Sequence, residues 1–110
     1  MYKHLFIALS LCGFASYSFA GNIQAGQALA TAQCAACHAT NGNWNQPASP
    51  TYPKLAGQHQ DYLMKVLKHY QNGTRNNAIM SGVAANLSSQ QIQDLSTFFA
   101  SLDGDLHLKK

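Results

Sequence analysis

The chain has 110 residues, and its 11 charged residues make up 10% of it, well below the ~25% of ordinary soluble proteins. With 46% hydrophobic residues and a formal charge of +3, it has neither the composition of a disordered chain nor the dense basic stripe of a nucleic-acid-binding protein. The length allows one domain, and no apolar run approaches the ~20 residues of a transmembrane helix, so we expect neither a nucleic-acid partner nor stable membrane insertion.

The N-terminal segment has the layout of a secretory signal peptide. A short positive start precedes an apolar run at residues 5–14, and small residues precede a cut between Ala20 and Gly21. The apolar run is too short to span a bilayer, although an uncleaved anchor is the alternative. We therefore predict a signal peptide at 1–20 and one mature domain at 21–110.

The mature domain has few large apolar side chains for its length. Its 90 residues include only 22 Ile, Leu, Val, Met, Phe, Tyr and Trp residues together. A domain of ~90 residues is marginally stable by core burial alone, and such domains often gain stability from a covalent cross-link or a bound group. We therefore expect a disulfide, a metal or a prosthetic group.

Helical patterns and polar loops alternate along the mature chain. The first predicted helix runs from Asn22 to Cys34, with Asn22 as its cap and one face formed by small or apolar residues, namely Ala25, Ala28, Leu29 and Ala32. Residues 39–53 are rich in Asn, Gly and Pro, which is typical of a loop, and Trp44 and Tyr52 are expected to anchor it.

Two further helices are predicted in the second half of the chain. One runs from Gln58 to Gln71, and its apolar arc comprises Tyr62, Leu63, Val66, Leu67 and Tyr70. The last runs from Ser88 to Leu102, and Ser88 with Gln91 fits a capping box. Because no stretch alternates like a strand, the sequence predicts an all-α fold.

The motif Cys34-Ala35-Ala36-Cys37-His38 carries the chemistry. C-x-x-C-H is the attachment signature of c-type haem. Two thiols at this spacing reach the two vinyl groups of one porphyrin and form thioethers, and the adjacent imidazole then lies under the iron as the proximal ligand. The motif therefore predicts one covalently bound haem c.

Three other interpretations of the cysteine pair are open at this point. Cys34 and Cys37 are compatible with a structural disulfide, which an oxidising compartment favours. A thioredoxin-like redox pair needs a βαβ context, and a zinc site needs further ligands such as a second cysteine pair, and the sequence offers neither.

A six-coordinate haem needs a second axial ligand. The mature chain offers five candidates: Met64, Met80, His59, His69 and His107. Met64 lies off the apolar arc of its helix, which predicts that it faces away from the core, and the three histidines are expected to face solvent or lie in the charged tail. Met80 lies in the polar stretch N-N-A-I-M-S-G-V, which we interpret as a loop that brings the thioether over the face of the haem. The alternative is that Met80 packs in the core between two helices. We therefore predict Met80 as the distal ligand.

Four blocks in the same order make the chain similar to a known family. They are A-G-Q-A before C-A-A-C-H, Y-P-K-L-A-G-Q at residues 52–58, N-G-T-R-N-N-A-I-M-S-G, and A-N-L-S-x-x-x-I-x-x-L-x-x-F-F-A-S-L. The chain resembles the class I cytochromes c, in particular the small bacterial periplasmic forms and single domains of the periplasmic dihaem carriers. The resemblance implies the small class I cytochrome c fold, with three to four main helices around one covalently bound haem and Gly26 packed on Phe98 or Phe99.

The resemblance also implies roles for individual residues. Pro53 is expected to offer its carbonyl to the ring N–H of His38, and Leu55 is expected to pack on the haem. Met80 matches the distal methionine of the family.

The function implied is electron transfer in the bacterial periplasm and not enzymatic catalysis. We expect a monomeric monohaem carrier that cycles between Fe(III) and Fe(II) among respiratory partners such as a terminal oxidase, a reductase or a dehydrogenase. The alternatives are a haem subunit bound tightly to a dehydrogenase and a haem protein whose open sixth position binds small ligands.

Overall fold

Five helices form the regular structure of residues 20–106, the part of the chain that the computed structural model describes. They are α1 Ile23–Gln33, α2 Ala35–His38, α3 Gln60–Gln71, α4 Ala78–Ala85 and α5 Ser89–Ser101. Within this range no strand forms, so the all-α prediction is confirmed. Four of the helices have eight or more residues and α2 is a single turn, which agrees with three to four main helices.

The predicted signal peptide and its uncleaved-anchor alternative lie outside the described residues except for Ala20, and so does His107. None of the helices within residues 20–106 combines the length and the apolar content needed to cross a membrane.

The caps predicted from the sequence fix the starts of two helices. The side chain of Asn22 accepts a hydrogen bond from the Ala25 N–H at 2.9 Å. At α5, the Ser88 hydroxyl accepts from the Gln91 N–H at 3.0 Å, and the Gln91 side chain accepts from the Ser88 N–H at 2.9 Å. Each bond satisfies an N–H group that the first turn of a helix leaves without a partner. The capping box and the Asn22 cap are therefore confirmed.

The helices α1 and α5 cross at Gly26. This residue is buried, and a Cβ atom placed on it would lie 2.7 Å from the carbonyl carbon of Asp94 and 2.8 Å from the Cβ of Phe98. The backbones approach so closely that only glycine fits. The expected contact with Phe98 is confirmed.

The buried face of α1 differs from the predicted one. Ala25, Ala28 and Ala32 are exposed, whereas Gly26 and Ala30 are buried. Alanine and glycine occur on several faces of α1, so the periodicity of its apolar residues does not single out one buried face. The close approach at Gly26 therefore decides which side faces α5.

Replacing Gly26 with alanine is expected to lower the free energy of unfolding by about 2 kcal/mol or more. The added methyl group meets the backbone of Asp94, which cannot move aside as a flexible side chain can, and this clash outweighs the ~1 kcal/mol gain in helix propensity. Urea unfolding followed by circular dichroism measures the change. Gln27→Ala, at an exposed position on the same helix, is the control and should stay within ~0.5 kcal/mol of the wild type.

The core lies between α1, α3 and α5 and extends into the loop after α2. Its buried members include Leu63, Ile92, Leu95, Phe98 and Phe99. The ring of Trp44 packs edge-on against these two phenylalanines, with ring centroids 5.9 and 5.0 Å away. Trp44 therefore anchors the loop, as predicted.

The predicted apolar arc of α3 is only partly correct. Leu63 is buried and Val66, Leu67 and Tyr70 are half-buried, but Tyr62 is 46% exposed. The interaction with the Tyr62 phenol raises the pKa of the Arg75 guanidinium above its ordinary value. A tyrosine can keep its polar end in water in this way, so hydropathy alone does not place it.

Candidate functional site

A single helical turn presents the cysteine motif. Cys34 caps the end of α1, and its carbonyl accepts a hydrogen bond from the His38 N–H at 2.9 Å, which closes the turn of α2. Positions i, i+3 and i+4 of a helix lie on the same side. The local fold therefore brings Cys34, Cys37 and His38 to one side of the turn.

His38 is buried, and the structure fixes the role of each of its ring nitrogens. Its Nδ1 lies 2.8 Å from the carbonyl oxygen of Pro53. A carbonyl only accepts hydrogen bonds, so Nδ1 carries the proton and donates it. Nε2 then bears the lone pair and is available to a metal. The contact between Pro53 and His38 that the resemblance implies is present.

The two cysteines are free thiols in the structure and not a disulfide. Both side chains are half-buried. Burial, followed by the repulsive effect of Cys37, raises the pKa of Cys34 to about 11. A redox-active cysteine of the thioredoxin kind has a lowered pKa, so this environment does not favour that interpretation.

The prediction that Met80 lies in a loop is wrong. Met80 is the third residue of α4, and its N–H donates to the side chain of Asn77 at 3.0 Å. The asparagine that contributes to the loop-like composition is the cap of a short helix, and Ala78, Ile79 and Met80 form its first turn. Met80 is half-buried, and its role as a ligand stays a prediction.

The prediction that Met64 faces away from the core is also wrong. Its side chain is half-buried and packs against the core cluster. It also lines a groove along one side of α3, together with Asp61, Lys65, Lys68, His69 and Asn72. Because α3 packs against both α4 and α5, its buried surface is wider than the arc drawn from hydropathy.

Two polar residues that the sequence analysis did not single out hold α4. The Nε2 of Gln71 donates to the carbonyl oxygens of Ala84 and Leu87, at 2.8 and 2.7 Å. Asn77 caps the other end of the helix. An Asn directly before Ala-Ile-Met is a recognisable cap signal, whereas no local pattern marks Gln71.

The chemistry of these residues fits a covalently attached haem. Free thiols at the right spacing stand next to an imidazole whose Nε2 is free to bind iron. Around the core lie half-buried apolar side chains suited to a large flat apolar group, namely Leu29, Trp44, Leu55, Met64, Leu67 and Leu102. Leu55 belongs to this set, and its contact with a haem stays a prediction.

Comparison with known proteins agrees with this chemistry. Residues 23–103 match the family model described as cytochrome c. Cytochrome c4 of Pseudomonas aeruginosa is 44% identical over 97 residues, which cover 88% of this chain and 45% of the relative. A thiosulfate dehydrogenase electron acceptor of Thiomonas intermedia is 44% identical over 71 residues, covering 64% of this chain and 32% of the relative.

A solved structure is also similar. The reduced recombinant cytochrome c4 of Pseudomonas stutzeri matches with a TM-score of 0.67 and 34% identity, over 78% of this chain and 48% of that one. The chain therefore spans about half the length of the cytochromes c4 it matches.

Proposed function

The chain belongs to the cytochrome c family of electron-transfer proteins, which carry covalently attached haem c, and on this basis we propose that it is a periplasmic monohaem electron carrier. In the proposed site the sulfurs of Cys34 and Cys37 form the two thioether bonds. Nε2 of His38 is the proximal ligand of the iron, and the sulfur of Met80 is the distal ligand. The hydrogen bond from His38 to Pro53 is the observation that carries this assignment, because it leaves Nε2 as the metal-binding nitrogen.

The side chains of the proposed site are suited to electron transfer. When bound, haem c supplies an iron that accepts and releases one electron. The Pro53 carbonyl holds the imidazole of His38 in one tautomer and one orientation, so this ligand need not move between the two oxidation states. A thioether ligand from Met80 favours the ferrous state and raises the potential. No acid, base or nucleophile is required.

The proposed partners are periplasmic redox proteins such as a dehydrogenase, a reductase or a terminal oxidase. Similarity to a protein named as the electron acceptor of a thiosulfate dehydrogenase supports a dehydrogenase as the electron donor. Redox encounters bury little surface and are brief, so we expect a monomer that docks transiently. Stable co-purification with a dehydrogenase would instead indicate a bound haem subunit.

The test is a pyridine haemochrome spectrum of the natively exported protein, with its intact mass. We expect one haem c per chain and the mass of residues 21–110 plus one haem. The protein should also take up and release one electron reversibly. A colourless protein that weighs no more than its amino acids would refute the proposed function, and a mass that includes residues 1–20 would refute cleavage alone.

A further inference from the structure

The helix that carries Met80 has little to stabilise it by itself. It spans only eight residues, and isolated helices shorter than ~12 residues are marginal in water. Ala84 is its one buried residue, and Ile79 beside Met80 is 58% exposed. Apart from its packing against α3, the position of α4 therefore depends on the hydrogen bonds at its ends.

The first end is held at Met80 itself. The side-chain oxygen of Asn77 accepts the Met80 N–H at 3.0 Å, so the cap fixes the backbone of the residue that bears the thioether. Asn and Asp are among the strongest caps, and replacing one with alanine weakens the helix that it caps.

The second end is held by Gln71, the last residue of α3. Its Nε2 donates to the carbonyls of Ala84 and Leu87, so one amide group serves two acceptors at the end of α4. Both acceptor residues are buried, and the Ala84 carbonyl also accepts a hydrogen bond from the Leu87 N–H at 3.1 Å, so Gln71 reinforces the turn that follows α4. Gln71 therefore ties the end of α4 to α3, which packs on α5.

We propose that Gln71 and Asn77 are positioning residues that keep the Met80 thioether on the iron, an inference that rests on the function proposed above. Asn77 sets where the backbone of Met80 begins its turn, and Gln71 prevents the far end of α4 from moving away from α3. Both residues act through Met80 and neither is a ligand.

The experiment measures how readily an added ligand displaces Met80 in the ferric holoprotein. Imidazole is titrated into the wild type, Gln71→Leu and Asn77→Ala, and the far-red charge-transfer band of the thioether ligand is recorded in each. We expect both variants to bind imidazole about tenfold more tightly, since each loses hydrogen bonds that oppose release of the methionine.

Two control variants should match the wild type. Asn77→Asp keeps the capping oxygen and should restore the wild-type imidazole affinity. Gln24→Leu replaces an exposed glutamine on α1, so it tests the same change of residue type away from α4.

Each other outcome is decisive. Wild-type imidazole affinity in both Gln71→Leu and Asn77→Ala overturns the inference, including the case in which only their free energy of unfolding falls, because that result indicates a merely structural role. If Gln71→Leu does not fold, the comparison of Asn77→Ala with Asn77→Asp decides alone. A wild-type protein without the thioether band refutes ligation by Met80 and with it this inference, whereas the haemochrome spectrum tests the proposed haem carrier separately.

Discussion

Replacing Cys34 and Cys37 together with alanine is expected to give a chain that neither retains haem through denaturation nor folds stably. The core by itself buries little apolar surface, since four of the ten buried hydrophobic residues within residues 20–106 are alanines. Without thioether bonds, a large apolar group would be held only by its ligands and its packing. Haem staining after denaturing electrophoresis and far-ultraviolet circular dichroism of the exported protein measure the two losses.

Variants of the same turn provide the controls for the cysteine pair. Ala36→Ser changes an exposed residue between the cysteines and should leave haem attachment unchanged. Each single cysteine variant should lose one thioether and be less stable than the wild type. A double variant that is colourless yet as stable as the wild type would show that the polypeptide folds without a prosthetic group. The expectation that the fold needs an added stabilising group would then be wrong.

The features predicted correctly from the sequence each have a local cause. Asn22 and Ser88 are caps because a short polar side chain reaches the first free N–H groups of a helix. The motif Cys34–His38 is recognised by its local spacing alone, whereas the single helical turn that presents it, α2, was not predicted. Trp44 was expected to anchor its loop because it is one of two large apolar residues there.

The features that the sequence did not predict depend on contacts between distant segments. The buried side of α1 is set by the approach to Asp94 and Phe98, about 70 residues away, and not by the helix's own periodicity. Gln71 has no local pattern because its acceptors lie 13 and 16 residues further along the chain. Met64 packs against the core because α3 has neighbours on two sides.

The contact between Pro53 and His38 is of a third kind. It joins positions 15 residues apart, and neither periodicity nor spacing predicts it. Only the resemblance to the class I cytochromes c implied it. For Met80, the local composition and the family pattern both predict a ligand, and this role stays a prediction, whereas the loop predicted from the composition is a helix in the structure.

Replacing Met80 with alanine is expected to open the sixth coordination position of the iron. The ferric protein should lose the far-red charge-transfer band of its thioether ligand, and the reduced protein should bind carbon monoxide readily. Because a methionine ligand favours the ferrous state, the reduction potential should fall by on the order of 0.1 V. Absorption spectroscopy, carbon monoxide titration and voltammetry measure these three changes.

Met64→Ala is the matched control for this experiment, since it removes the same side chain from α3. Met64 packs against the core, so its loss should lower the free energy of unfolding by roughly 2 kcal/mol while the charge-transfer band stays. If the band disappears in Met64→Ala and persists in Met80→Ala, the ligand is on α3 and not on α4. If the wild type itself lacks the band, the distal ligand is a histidine or another group that is not a thioether. If the wild type itself binds carbon monoxide readily, the sixth position is open, and the protein is a ligand-binding haem protein and not a carrier with fixed coordination.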